Sequence, residues 1–212
     1  MVHTFFIDLD NTLYPKSSGL MDAIRDRIIS YMKKILNLDD KEIKSIREYS
    51  LKKYGTTLIG LMELYGIDKH HYLDYVHDLD LDIYLKPNPE LLNILNLYPQ
   101  KKVIFSNADQ NHIRRVLEFL DLVIFFDVII DVHMLMPSVK PQTAAFQKAK
   151  KAVGLKTWQG CAFIDDYYPN IQKAEELGIF SILIDEKDDV EYKQKIPSIL
   201  DLPKVINQHI KG

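Results

Sequence analysis

Cysteine is almost absent from this chain of 212 residues: Cys161 stands alone, so no internal disulfide can form and a reducing, cytoplasmic setting is expected. A buried, inert thiol is the expected state of that residue. Glycine and proline are scarce as well, at 8 and 9 residues, which excludes collagen-like and low-complexity architectures. No apolar run approaches the roughly 18 residues that would span a bilayer. Even the stretch 122–126 is closed off by Asp127 and Asp131, so no membrane partner is expected. Neither sign of charge dominates. With 27 basic and 30 acidic residues the formal charge is −3, so no global field draws nucleic acid, and any phosphate must be held locally. No basic leader or small-residue cleavage site precedes Asp8, and a secretory signal is not expected.

What is present is ample core material, 47% hydrophobic residues in a length suited to one domain or one domain with an insert. Three short apolar runs end in polar residues: 4–7 before Asp8, 103–105 before Ser106, and 162–164 before Asp165. Such runs read as strands buried on both faces. Residues 180–184 form a further candidate strand and 127–130 a weaker one, with helical patterns at 109–120, 141–153 and 169–177 between them. The alternation predicts an α/β fold, a Rossmann-like doubly wound parallel sheet with right-handed crossovers. Residues 16–85 break it. Met21, Ile24, Ile28, Tyr31 and Ile35 make one apolar helical stripe, Leu58, Leu61, Met62 and Tyr65 another, and 40–53 and 68–78 suggest two more helices. The expected organisation is a core formed by 1–15 and 86–212, with an all-helical cap at 16–85 inserted after the first strand.

In open parallel sheets, ligands bind beyond the carboxyl ends of the strands. Asp8 and Asp10 would place two carboxylates at the end of the first strand. Ser106 and Asn107 sit where a strand gives way to a helix, a phosphate cradle unless Ser106 or Asp109 only caps that helix. Asp165 and Asp166 add hard oxygen ligands which, with Asp8, suit Mg²⁺. Lys140 offers a point charge for a phosphoryl group or a nucleophile, against the plainer reading of a solvated lysine. His70 and His71 are adjacent and diverge on a helix, which argues against a metal pair, and Trp158 is expected to pack.

These four elements in this order resemble the signature of the haloacid dehalogenase superfamily of phosphohydrolases: 6–14, then 105–107, then Lys140-Pro141, then 163–166 with Asn170 beyond. The resemblance implies Asp8 as nucleophile, Asp10 as general acid then base, Ser106 and Asn107 as phosphate contacts, and Lys140 as stabilising cation. It implies Mg²⁺ on Asp8, the Asp10 carbonyl and chiefly Asp165, with Asp166 close by. Residues 8–15 with 17–19, 54–57, 85–87, and 106–109 with His112 are similar to the pyrimidine 5′-nucleotidase branch. That similarity implies a phosphatase acting on UMP or CMP, with the base meeting the cap near Tyr54, Thr56 and Thr57; turn chemistry accounts for those three residues equally well. Tyr167 departs from the small hydroxyl residue that relatives place there. The proton role expected of Asp10 calls for a pKa above the ordinary aspartate value, from burial and Asp8. The alternatives are a phosphatase for a sugar phosphate or another nucleotide, a 2-haloacid dehalogenase, or a catalytically silent binding protein. Halide leaves without a proton or a metal, so Asp10 and the acidic pair favour phosphate.

Overall fold

The computed structural model describes residues 1–210. Its strands are β1 (Thr4–Ile7), β2 (Lys101–Phe105), β3 (Val128–Ile130), β4 (Cys161–Asp165), β5 (Phe180–Ile184) and β6 (Lys195–Ile196). They form one all-parallel sheet in the order β3-β2-β1-β4-β5-β6. Successive strands step one way from β1 to β3 and the other way from β4 to β6, so the winding reverses between β1 and β4. In a doubly wound sheet that reversal opens a crevice at the carboxyl ends of the two strands. In register Ile7 lies between Ile104 and Ile164, which sets Asp8 beside Asp165 at that edge, with Ser106 one residue further along β2.

Both faces of the sheet are covered, as continuous apolar strands require. Phe5, Ile7, Ile104, Ile164 and Ile182 face one core, while Phe6, Val103, Phe105, Phe163 and Leu183 face the other. Trp158 packs edge-on to Phe6 with centroids 5.2 Å apart, in the second core. Cys161 is buried, and burial pushes its thiol up to about 11.

The insert after β1 contains four α-helices: α1 (Leu20–Lys34), α2 (Asp40–Tyr54), α3 (Thr57–Tyr65) and α4 (Lys69–His77). Their limits are written in the sequence. Asp39 caps α2, accepting from the backbone N–H of Lys41 and Glu42, while Glu42 accepts in return from the Asp39 N–H, a reciprocal capping box. Gly55 ends α2 with φ +81°, a conformation that strains any residue carrying a Cβ. The helices pair α1 with α4 and α2 with α3, and Tyr31, Leu61 and Tyr72 join the core shared with Phe6 and Phe105.

After the insert come α5 (Pro89–Asn96), α6 (Gln110–Phe119), α7 (Val132–Leu135), α8 (Thr143–Ala152), α9 (Tyr168–Glu176) and α10 (Leu202–Ile210). Helices α5, α7 and α10 and the two-residue β6 were not expected from periodicity. Pro141, expected in the first turn of a helix, lies ahead of α8: the Lys140–Pro141 bond is cis, and Gln142 is the N-cap. Among the described residues no helix is long and apolar enough to cross a membrane.

The α2–α3 pair tests the packing. A Cβ built on Gly60 would lie 1.9 Å from Ser50 Oγ, so the two helices touch at backbone distance. Alanine gains up to about 1 kcal/mol of helix propensity over glycine, yet overpacking costs about 1–3 kcal/mol. Gly60→Ala should therefore lower the urea midpoint, and adding Ser50→Gly should restore part of the loss.

Candidate active site

The crevice between β1 and β4 holds a fully buried ammonium. Lys140 Nζ donates to Asp8 Oδ1 at 2.8 Å and to Asp165 Oδ2 at 2.6 Å, with the lysine side chain 1% exposed. The ammonium lies over the faces of Phe105 and Phe163, 5.1 and 5.5 Å from Nζ to the ring centroids. The backbone that delivers it is fixed by Asn107, which accepts from the Lys140 N–H and donates to the Lys140 carbonyl, both at 3.0 Å. From the insert, Gly55 abuts the same place: a Cβ there would come within 3.0 Å of the Lys140 carbonyl oxygen.

Asp165 is saturated by protein donors. Oδ1 accepts from the Tyr167 N–H and Asn170 Nδ2, and Oδ2 accepts from Asn170 Nδ2 and Lys140 Nζ. Tyr167 is itself half exposed and contributes through its backbone. Asp166 has one partner, Asn11 Nδ2 at 3.1 Å on Oδ2. Carboxylate oxygens of Asp8, Asp165 and Asp166 lie within 4.8 Å of one another, the one group among the described residues able to hold a metal ion. Three carboxylates thus share one ammonium. Burial pushes Asp8 well above the ordinary carboxylate range; Lys140 opposes the rise, and Asp165, Asp166 and Asp10 add to it. Burial, then the Asp165 charge, drives Asp166 up to about 7. Burial opposes the charge on Lys140, but Asp165 and Asp8 outweigh it and hold the ammonium protonated beyond its usual range. The surplus of negative charge, and an Asp10 carbonyl that accepts no hydrogen bond among the described residues, are what a hard divalent cation would use.

Asp10 behaves differently from the expectation. Burial alone would raise its pKa, but the His112 ring and the Tyr14 hydroxyl outweigh burial and lower it. His112 Nε2 lies 2.9 Å and Tyr14 Oη 2.5 Å from Asp10 Oδ1. Oδ2 has no hydrogen-bond partner, so Asp10 has one oxygen clamped and the other open. Behind it the His77 ring from α4 stacks on His112, with centroids 4.3 Å apart at 19°. Asp109 Oδ1 caps α6 through the N–H groups of Asn111 and His112. Its Oδ2 lies 2.6 Å from His77 Nδ1, a close polar contact misaligned for a hydrogen bond, and burial lowers the His77 pKa below its ordinary value. Both histidines line a cavity of about 540 Å³ between α4 and α6.

Ser106 is buried at the end of β2, and its Oγ accepts from the Ala108 N–H at 3.1 Å. The side chain of Asn107 is spent on Lys140. Tyr54 touches the Lys140 loop through its carbonyl, which accepts from Gln142 at 3.4 Å, while its ring packs on Tyr49. Thr56 is the N-cap of α3 without a side-chain cap bond, and Thr57 is buried at its first position. Neither side chain bonds to the residues around Asp8. No spacing points to His77, 35 positions from its partner, and Tyr14, although within the matched stretch 6–14, carries no local signal for its bond to Asp10.

Carboxylates gathered around a buried ammonium, at the switch point of a doubly wound sheet roofed by a helical insert, define an α/β protein built to handle an anion or a cation in its crevice. The family model for haloacid dehalogenase-like hydrolases matches residues 2–178, and the chain belongs to that family. Phosphate metabolism protein 8 of Saccharomyces cerevisiae (strain ATCC 204508 / S288c) is 31% identical over 193 residues, covering 84% of this chain and 60% of that protein. The chain therefore spans about 60% of that curated relative's length. Among solved structures, a HAD phosphatase from Thermococcus onnurineus superposes with TM-score 0.66 at 16% identity, over 97% of this chain and 98% of that one. The putative HAD-hydrolase YfnB from Bacillus subtilis, bound to magnesium, gives 0.63 at 15%, over 97% and 99%. L-2-haloacid dehalogenase from Xanthobacter autotrophicus gives 0.62 at 17%, over 98% and 99%. At these identities the likeness is one of fold.

Asn170 supplies two of the four bonds on Asp165. Asn170→Ala should destabilise the chain by about 1–3 kcal/mol, the cost of an under-satisfied buried acceptor, read from urea unfolding. A loss below about 0.5 kcal/mol, the scale of an ordinary surface change, would mean that Tyr167 and Lys140 suffice.

Proposed function

We propose that this hydrolase is a Mg²⁺-dependent phosphatase that cleaves small phosphomonoesters through an aspartyl phosphate on Asp8, with pyrimidine nucleoside monophosphates as the substrate class. The observation that carries the reading is the three-carboxylate, one-ammonium cluster at the ends of β1 and β4. A lone ammonium leaves that cluster short of positive charge, and a dianionic ester entering beside it makes the need for a second cation greater. Among the similar proteins one is named for phosphate metabolism, one is a phosphatase and one is bound to magnesium, beside the L-2-haloacid dehalogenase that shares the fold. The pyrimidine preference rests on the sequence resemblance at 54–57 and 106–112. The division into a core of 1–15 and 86–212 with a cap of 16–85 belongs to this reading.

Asp8 Oδ1 is held by Lys140, and Oδ2 accepts no hydrogen bond, which suits attack on phosphorus. Lys140 screens the repulsion between carboxylate and phosphate and stabilises charge as it develops. The Ser106 hydroxyl and the Asn107 N–H contact the phosphoryl oxygens, while the Asn107 side chain keeps Lys140 in place. Asp8, Asp166 and the Asp10 carbonyl would hold the Mg²⁺, which when bound supplies charge neutralisation. Asp165, the main ligand that the resemblance implies, stays within reach of the same ion and in this arrangement positions Lys140. Asp10 protonates the leaving alkoxide and then takes a proton from the water that opens the acyl phosphate. Its ionised ground state is the form needed for the second step. The first needs a proton, which an adjacent dianion favours.

Phosphate release should be measured on UMP, CMP, purine monophosphates and sugar phosphates, with Mg²⁺ and with a chelator. Release should require the metal and fall by at least about 10³-fold in Asp8→Asn, by analogy with the loss of other covalent nucleophiles. No release from any ester overturns the phosphatase reading; release from sugar phosphates alone overturns the nucleotide assignment.

Binding can be read without turnover. Mg²⁺ at 100 times its Kd adds about 2.7 kcal/mol of stability, a rise of roughly 5–10 °C in Tm at this chain length. Asp166→Asn should shrink that rise. Because Asp166 titrates near 7 without metal, protons compete below that pH, and the rise should diminish as pH falls from 8 to 6. An unchanged rise across that range would remove Asp166 from the ligand set.

A further inference from the structure

We infer that His112 is a positioning residue for Asp10, and that His77, reaching in from the helical insert, holds His112 in place. The inference rests on the phosphatase reading in which Asp10 transfers the proton.

A histidine serving only to fill a core has its ring nitrogens satisfied by whatever is nearest. His112 does not fit that description. Its Nδ1 is buried without a partner, and its one ring hydrogen bond is to the Asp10 carboxylate. With Tyr14 it engages the same oxygen, so two donors from opposite sides of the chain fix the plane of the carboxylate and leave Oδ2 unpartnered. Proton transfer needs such an oxygen within about 2.6–3.2 Å of the reacting atom, and a carboxylate free to rotate about its last bond spends little time there.

The ring of His112 is fixed in turn. Asp109 anchors its backbone through Oδ1 and approaches the His77 ring with Oδ2, joining the start of α6 to the end of α4. Arg115 of α6 donates to the carbonyls of His77 and Leu79, at 2.7 and 2.6 Å, satisfying the frayed end of α4. His77 is thereby pressed onto His112 by contacts that come from the core. The insert completes the support behind Asp10, and an insert displaced from α6 would leave His112 unstacked.

The experiment compares two esters with Mg²⁺ present. UMP, or whichever alkyl phosphate the chain hydrolyses best, releases an alkoxide that needs a proton, whereas p-nitrophenyl phosphate releases a stable phenolate that does not. His112→Ala should reduce kcat on the alkyl ester about tenfold more than on the aryl ester, a part of the 10²- to 10⁴-fold typical of general acid catalysis. His112→Gln, whose amide can still donate to Asp10, should recover much of that difference. His77→Ala should move the ratio in the same direction by a smaller factor. Equal losses on both esters, or a change in KM alone, would mean that the histidines only support the fold, and the proposal falls. Should His112→Ala fail to fold cooperatively, His77→Ala decides, and an unchanged ratio overturns the proposal. Should the unaltered chain release phosphate from neither ester, the phosphatase reading fails and this inference with it, an outcome distinct from the others.

Discussion

The buried ammonium of Lys140 is the constraint around which the crevice is organised. Breaking a buried ion pair by removing one partner costs about 3–5 kcal/mol, because the other charge is left stranded; here two carboxylates would be stranded together. The lysine comes from a loop that belongs to no strand of the sheet, so its position has to be enforced. Asn107 does so from the end of β2, Asp8 from β1 and Asp165 from β4. Three neighbouring strands therefore converge on one residue, β1 and β4 on its ammonium and β2 on its backbone. The arrangement explains why Asp165 is so heavily bonded: a carboxylate that must hold a cation in a fixed direction cannot also be free to turn.

Much of this was legible in the sequence because the signals were local. Apolar runs ending in Asp8, Ser106 and Asp165 gave three central strands and their functional ends, since a strand buried on both faces leaves no alternative pattern. The stripe from Met21 to Ile35 gave α1. What escaped was either too short or too distant. Two residues of β6 carry no periodicity, and the short turn of α7 is set by an Asp131 cap that resembles any loop aspartate. The pairing of His77 with His112 depends on how the insert lies on α6, which no spacing encodes. The lowered pKa of Asp10 has the same origin: burial and a neighbouring carboxylate are local in the chain, while the contact with His112 that reverses their effect spans 102 positions.

Two kinds of side chain divide the work between the sheet and the insert. The sheet supplies charged groups in rigid register, because each follows directly on a strand whose backbone is paired on both sides. The insert supplies no charged group to the Asp8 cluster. It presents a backbone turn at Tyr54–Gly55 and an aromatic ring at His77, and both meet core residues, Lys140 and His112, that in turn hold Asp8 and Asp10. Members of one family can then keep the same strand ends while differing in what lies over them.

The approach of Gly55 to the Lys140 carbonyl limits how such divergence can proceed. Loops joining two surface helices ordinarily tolerate insertions and almost any residue. This one presses bare main chain against the peptide that carries the central cation, so an added methyl group would be felt at the ammonium itself. Novelty in ligand choice must arise on the flanking helices, pivoting about a fixed point, and lineages that lose that glycine would have to rebuild the loop beneath it in the same step.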